Sequence, residues 1–204
     1  MQNLIRLLGI LIALCSLNLV HAQIDINKLK ELKDKKMESS DPFRNLCFID
    51  GLPDINILND SINHFSIGYP RNYKLTSLSQ GNLSIIRFES IENEVNEFPV
   101  LETKILEKSI ENLESYFDKT LAEKIGEKSL MSFGNEKING HQSFWIESLI
   151  QNMQGDFRHQ LSYYLINPLS QKIFIISIKS NEYKRRGLDF CAFGPFVRQL
   201  KWIK

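Results

Sequence analysis

The stretch that decides the fold is GHQSFWIESLIQNMQGDFRHQLSYYLINPLSQKIFIISIKS, residues 140–180. It contains three runs rich in β-branched and aromatic residues, which favour an extended chain. Turn-forming residues separate the runs near residues 153–156 and 168–171. The stretch therefore predicts three successive antiparallel β-strands.

These strands are apolar on both faces. In the first strand, Phe144 and Ile146 lie on one side, while Trp145 and Leu149 lie on the other. The third strand, residues 173–178, is almost continuous in isoleucine and phenylalanine. A sheet that is apolar on both faces must be covered on both faces. We therefore expect a helical layer on each side.

The first covering layer is predicted over residues 110–125, where the apolar period changes from 2 to 3.6. The residues on the apolar side are Leu113, Tyr116, Phe117, Leu121 and Ile125. Ser109 or Asn112 is suited to cap the helix at its start, and Gly126 stands where a left-handed C-terminal residue is expected.

The second covering layer is predicted in the C-terminal segment. Its apolar residues are Phe190, Phe193, Phe196, Val197, Leu200, Trp202 and Ile203. Pro195 is placed either to start the final helix in its first turn or to kink it.

Upstream of residue 110 the period indicates further strands. Phe65, Ile67 and Tyr69 alternate with small residues, and further strands are predicted over residues 83–90 and 100–107. Downstream of the first predicted helix, an Asn-Gly pair at 139–140 indicates a hairpin turn. The expected fold class is α+β, an α/β/α sandwich in which one antiparallel sheet lies between helices.

The N-terminus has the pattern of a secretory signal peptide. Arg6 precedes an apolar core at residues 7–14, and small-type residues end at Ala22. Cleavage is expected after Ala22, so that the protein is exported to the periplasm or outside the cell. A lipoprotein site centred on Cys15 is less favoured, because Leu14 stands where such a site needs a small residue.

We expect three parts: a signal peptide (1–22), an N-terminal extension with an irregular lead-in (23–60) and a single domain (61–204). The lysines of the extension are Lys28, Lys30, Lys33, Lys35 and Lys36. They suit either a basic arm for a membrane surface or acidic partner, or a solvated lead-in. The composition favours the lead-in.

Charge and cysteine content narrow the function. Without residues 1–22, which contain Arg6, 24 basic residues balance 24 acidic ones. A neutral chain lacks the field needed for non-specific nucleic-acid binding, and no later run is long enough to span a membrane. Two cysteines remain, Cys47 and Cys191. A disulfide between them is expected in an oxidising compartment, the alternative being two buried thiols.

The order of elements resembles the PsbP-like superfamily, which includes the photosystem PsbP subunits and the Ran-binding Mog proteins. The similar stretches are FSIGYPRNY (65–73), SIENLESYFDKTLAEKI (109–125), KINGHQSFWIES (137–148) and QKIFIISIKS (171–180). The resemblance covers about residues 65–203. It implies an α/β/α sandwich around an antiparallel sheet, which usually serves as a binding or assembly module.

The sequence offers little that could support catalysis. The predicted hairpin places His141 and His159 roughly 30 Å apart along the strands, and His64 alone makes a poor metal site. We see no nucleophile elbow, phosphate loop or helical zinc motif. We therefore expect no metal, no cofactor and no enzymatic activity.

Two groups of residues are candidates for an interaction patch. They are Lys184, Arg185 and Arg186 in one group, and Tyr69, Arg71 and Tyr73 in the other. The cations suit an anionic headgroup, a polymer or an acidic partner, or else form a solvated turn. The aromatic residues suit a binding site or ordinary strand packing, and packing is favoured.

The sequence thus predicts an exported, non-enzymatic binding or assembly module whose partner is an unidentified protein or small ligand of the cell envelope. One alternative is a small periplasmic hydrolase or lipid-handling protein with a cavity between sheet and helix. Another is an immunity or effector protein.

Overall fold

The computed structural model describes residues 26–38, 54–80, 82–91, 99–106, 112–151, 155, 157–180 and 186–204. The described helices are α1 (Ile26–Lys36), α2 (Leu113–Gly126) and α3 (Arg186–Arg198). None of these helices is long and apolar enough to cross a membrane. The described strands are β1 (Ile55–Asp60), β2 (Phe65–Pro70), β3 (Tyr73–Gln80), β4 (Leu83–Ser90), β5 (Val100–Leu106), β6 (Leu130–Ile138), β7 (His141–Gln151), β8 (Phe157–Ile166), β9 (Ile173–Lys179) and β10 (Lys201–Trp202).

The main sheet has seven strands in the order β3-β4-β5-β9-β8-β7-β6, and every neighbouring pair is antiparallel. Residues 140–180 supply β7, β8 and β9, which lie side by side, so the predicted three-stranded unit is confirmed. The hairpin turn between β6 and β7 is also confirmed: Asn139 and Gly140 both have positive φ, +48° and +79°.

Two apolar cores lie on opposite faces of this sheet, as the two-sided pattern predicts. One contains Trp145 and the inward side of α3, represented by Phe196. The other contains Phe144 and the inward side of α2, represented by Phe117, whose ring stacks on that of Phe144 at 4.6 Å. The fold class, an α+β sandwich with helices on both faces, is confirmed.

The start of α2 is as predicted, but its end is not. The side-chain oxygen of Asn112 accepts a hydrogen bond from the Ser115 backbone N–H at 2.8 Å, which caps the helix. Gly126 was expected to be the left-handed residue after the helix, and this is wrong. The left-handed residue is Lys128 (φ +55°), because the helix continues to Gly126 and closes with a bond from Ser129 N–H to the Lys124 carbonyl.

Three expectations about the remaining elements need correction. The segment expected to be irregular forms a strand at its end, because β1 pairs along its whole length with β2. Strand β2 was expected in the main sheet, but it belongs to a three-stranded sheet of order β1-β2-β10, held by the pairing of Trp202 with Phe65. Strand β3 was not predicted from the sequence.

Pro195 was expected either to start the final helix or to kink it. It lies inside α3, so it does not start that helix.

The segment favoured as a solvated lead-in instead packs on the domain. Leu29 of α1 is buried in the core beneath α2, and Lys33 donates hydrogen bonds to Glu114 (2.9 Å) and Asp118 (2.8 Å) of α2. Just after α1, Glu38 forms a parallel bridge with Gly134 at the outer edge of β6. Within the extension, residues 26–38 are therefore part of the folded structure.

Candidate binding face

Within the described residues, the main sheet is covered unevenly on the side of α2. This helix packs against β6, β7 and β8, whereas β3, β4 and β5 lie at the other end of the sheet. Alternation along these strands places polar side chains on the same side as α2. We call them the basic face and define it by Lys74, Arg87, Glu102, Lys104 and Lys179.

Glu102 lies at the centre of the basic face and is almost completely buried, with 1% of its surface exposed. One carboxylate oxygen accepts hydrogen bonds from Arg87 Nε (3.1 Å) and Nη2 (2.7 Å). The other oxygen accepts one from Lys179 Nζ at 2.9 Å and lies 3.7 Å from Lys104 Nζ. Both oxygens therefore face cations supplied by neighbouring strands.

The surroundings keep Glu102 ionised. Burial alone would raise its pKa, but the hydrogen bonds from Lys179 and Arg87 outweigh burial and lower the pKa below 4.5. The hydrogen bond to Glu102 correspondingly raises the pKa of Arg87. Glu102 and Arg87 are therefore both charged at neutral pH.

The cations are held in place by Glu102 while their side chains remain partly exposed. The side chains of Arg87 and Lys104 are 44% and 42% exposed, and that of Lys179 is 26% exposed. Lys74 is also exposed, and Glu89 is a second acidic residue on this side. Among the described residues, four cations against two carboxylates give the face a positive charge, which suits an acidic partner.

A second polar cluster lies on the other side of the sheet, where it has the residue types of a hydrolase. Ser132 donates a hydrogen bond to Glu147 at 3.0 Å, and Glu147 lies 3.2 Å from Nδ1 of His159. The serine hydroxyl thus bonds to the carboxylate and not to the imidazole that would activate it. His159 is fully buried, so this cluster is best explained as a structural one.

An open cleft of about 410 Å³ lies at the end of the main sheet where β6 turns into β7. Its lining residues are Asn139, His141, Pro168, Leu169, Lys201, Trp202 and Lys204. The register pairs His159 with Leu149, which confirms that His141 and His159 are far apart. In the described part of the chain, no three metal-ligating side chains come together.

Of the sequence-predicted patch, Tyr69, Arg71 and Tyr73 lie in the described part of the chain. Tyr73 is buried, and its hydroxyl donates a hydrogen bond to the Pro99 carbonyl. Tyr69 packs against Phe88, and Arg71 is exposed and paired with Asp54 at 3.2 Å.

The remaining predicted residues lie largely outside the described part. Lys184 and Arg185 are outside it, and Arg186 begins α3. Cys191 is half-buried on α3, but Cys47 is outside the described residues, so the disulfide stays a prediction. The signal peptide also lies outside them and stays a prediction.

The basic face was not predicted from the sequence. The available signal was the segment VLETKIL, in which Glu102 and Lys104 interrupt an otherwise apolar strand at a spacing of two residues. Charged residues in a central strand need partners. The partners could not be named without the strand order, since Arg87 and Lys179 come from two different neighbours.

Comparisons with known proteins identify the fold. No family model matches the chain, and no similar curated protein is found. Among solved structures, cyanobacterial PsbP (CyanoP) from Synechocystis sp. PCC 6803 is 14% identical with a TM-score of 0.54, and the match covers 76% of this chain and 96% of that one.

Two further structures are similar at lower scores. LpqN, involved in cell envelope biogenesis of Mycobacterium tuberculosis, is 11% identical with a TM-score of 0.47, covering 74% of this chain and 91% of that one. A mutant of protein Mog1 is 8% identical with a TM-score of 0.46, covering 74% and 97%. At such identities a likeness bears on the fold alone, and with CyanoP it shows that this chain has the PsbP-like fold.

Proposed function

We propose that this protein is a non-enzymatic binding module that recognises an acidic surface of a partner protein through the basic face. The observation that carries the proposal is the burial of Glu102 beneath three cations. Burying a carboxylate destabilises the folded state unless the carboxylate is paired. Here the pairing with Glu102 orients Arg87, Lys104 and Lys179 on the basic face. Oriented cations lose less side-chain freedom on binding than unrestrained ones.

The absence of catalysis is part of the proposal and rests on geometry. The Ser132 hydroxyl is directed to Glu147, and the fully buried His159 meets that same carboxylate. Glu102 accepts hydrogen bonds from Arg87 and Lys179, which keep its pKa low, so it is ionised at neutral pH and is not available there as a general acid. The chemistry of the described residues thus favours binding.

The proposed location is the periplasm or the cell exterior, and the support is the N-terminal sequence pattern. If this is correct, the protein purified from its own cells begins at Gln23. Edman sequencing or intact mass of protein from the exported fraction checks this. Recovery of the full chain in the cytoplasmic fraction would contradict it.

The test of binding compares two double variants of equal charge change. Lys74→Glu with Lys104→Glu reverses two cations of the basic face, whereas Lys119→Glu with Lys137→Glu reverses two exposed cations elsewhere. Cross-linking in envelope extract, followed by mass spectrometry, should recover an acidic protein with the original chain and the second variant. The first variant should lose it.

The salt dependence of the same complex provides an independent measurement, because charge pairs at an exposed face are screened. We expect weaker binding as ionic strength rises. A partner that is retained equally by both double variants and at high salt would overturn the proposal.

A small ligand bound in the cleft at the sheet end is a second candidate function. It is favoured by the half-exposed ring of Trp202 beside Lys201 and Lys204, since an aromatic ring with nearby cations suits an anionic ring compound. Quenching of tryptophan fluorescence by such a compound tests it. The signal should vanish in Trp202→Phe, because the other tryptophan, Trp145, is fully buried.

A further inference from the structure

Strand β3 forms an open edge of the main sheet. Within the described residues its neighbour in the sheet is β4 and it has no second one. All seven residues after Tyr73 are exposed, and the strand is eight residues long, or about 27 Å. Such an edge is a template for pairing with another extended chain.

The phase of the hydrogen bonds shows which residues of β3 face outward. The Ile91 N–H donates to the Asn72 carbonyl at 2.8 Å, and this pair continues the register of β3 with β4. Hydrogen-bonded pairs alternate along an antiparallel ladder. Residues 74, 76 and 78 therefore bond to β4, whereas Leu75, Ser77 and Ser79 turn their N–H and C=O groups to the open edge.

The same alternation places the side chains of Lys74, Thr76 and Leu78 on the basic face. An added strand would lie about 4.8 Å from β3, and every second side chain of that strand would join the basic face. The side chains between them would lie on the opposite face, beside Leu75, which is 38% exposed. The complementary sequence alternates acidic with apolar residues.

We propose that the partner of the basic face adds an extended acidic segment to β3 as an eighth antiparallel strand. The inference rests on the proposed function and specifies how the partner is held. Main-chain hydrogen bonds to Leu75, Ser77 and Ser79 hold the segment, and the nearest cations of the basic face, Lys74 on β3 and Arg87 on β4, select its charge.

A second copy of this chain fits the edge less well. Two β3 strands paired around a twofold axis would join their basic faces into one surface and bring the two Lys74 residues onto it. Like charges on one face oppose association. The occupant is therefore an acidic segment of another protein.

The probe for the test is an end-capped peptide of eight residues in which glutamate alternates with valine. In the proposed complex the valines lie opposite Leu75, Ser77 and Ser79, so valine N–H groups face β3 and glutamate N–H groups face solvent. N-methylation of the valines should abolish binding. N-methylation of the glutamates preserves the charge, and binding should be retained within about threefold.

The matched protein variants are Ser77→Pro and Ser77→Ala. Proline removes the outward N–H at this position, and alanine keeps it. Fluorescence anisotropy at low ionic strength should show at least about a tenfold loss of peptide affinity for proline and less than about a twofold change for alanine. The peptide should also slow hydrogen exchange at the amides of Leu75, Ser77 and Ser79.

Three outcomes would overturn the inference. The first is binding that is indifferent to valine methylation and leaves the three amides unprotected. The second is no binding of the peptide at all. The third is a dimer of this chain that protects the same amides without peptide. In each case the cross-linking experiment tests the proposed function separately. If the natural partner is lost when Lys74 and Lys104 are changed to glutamate, the proposed function still holds. If the partner is retained, the proposed function itself is refuted.

Discussion

The two edges of the main sheet are treated differently. At β6 the chain covers its own edge: the Glu38 N–H donates to the Phe133 carbonyl at 3.2 Å, and the Glu38 carbonyl accepts from the Asn135 N–H at 2.9 Å. At β3 the described part of the chain provides no such cover, and Leu75, Ser77 and Ser79 direct their backbone groups outward.

In the described part of the chain, one edge strand of the main sheet, β6, is protected by pairing, and the other, β3, is not. Proteins normally cover or charge an edge strand, because unpaired backbone groups promote aggregation. Here the covered edge lies beside the apolar core under α1 and α2, where pairing of the edge contributes to stability. The open edge lies beside the basic face, where a partner is proposed to bind. The pairing at β6 contributes to stability, whereas β3 is the edge at which we propose binding.

The largest effect on stability is expected from filling the space beside Gly134, where the backbone of Glu38 pairs with β6. In Gly134→Ala, the new Cβ would clash with the Glu38 carbonyl and lie 2.6 Å from Cζ2 of the buried Trp145. We expect a loss of about 3 kcal/mol in the free energy of unfolding, since neither neighbour can yield easily. Urea denaturation measures this, and hydrogen exchange at the Asn135 amide should accelerate.

Gly126→Ala is the control for that substitution. No atom lies within 4 Å of its added Cβ, and the residue is at the end of α2. Stability should be unchanged or rise by up to about 1 kcal/mol. Equal destabilisation by both substitutions would show that the contact with Glu38 does not hold the edge.

A smaller effect is expected at the centre of the basic face. Glu102→Gln keeps the side-chain size but leaves Arg87, Lys104 and Lys179 without their shared counter-charge. We expect a loss of about 2 kcal/mol, below that of a fully buried pair because the cations are partly exposed. Glu89→Gln removes a more exposed partner at 3.5 Å from Arg87 and should cost less than about 0.5 kcal/mol.

The pH dependence of that loss has a defined sign. The folded-state pKa of Glu102 lies below its unfolded value of about 4.5, so the stabilisation is present above pH 4.5 and is lost as pH falls through the folded pKa. The two proteins should therefore differ at neutral pH and converge in acid. A constant difference across the acid range would refute the role of the charge.

A still smaller effect is expected where α1 joins α2. Burial alone would lower the pKa of Lys33, but hydrogen bonds to Asp118 and Glu114 raise it above 10.5, so its stabilisation is present below pH 10.5 and is lost at higher pH. Lys33→Met should cost about 1 kcal/mol and speed hydrogen exchange in α1. Lys35→Met, which removes an exposed pair with Glu31, should do neither.

The contrast between the edges also explains what the sequence could predict. The strands of residues 140–180 carry apolar residues with a clear period, so burial on two faces could be read directly. The sequence YKLTSLSQ of β3 is exposed along almost its whole length and has no such period. Trp202 pairs with Phe65 although most of the sequence lies between them, and no local sequence pattern predicts such a contact. Local order was therefore predictable, whereas long-range pairing and charge partners were not.

The smallest effect on stability is expected at the open edge itself. Ser77→Pro removes an N–H that points away from β4, so the loss should be below about 1 kcal/mol. Thr76→Pro, one residue earlier, removes an N–H that bonds to β4 and should cost clearly more. Thermal denaturation of the two variants measures the difference. A larger loss in Ser77→Pro than in Thr76→Pro would mean that the ladder has the opposite phase. Equal losses would mean that both N–H groups are paired, and β3 would then not be an open edge.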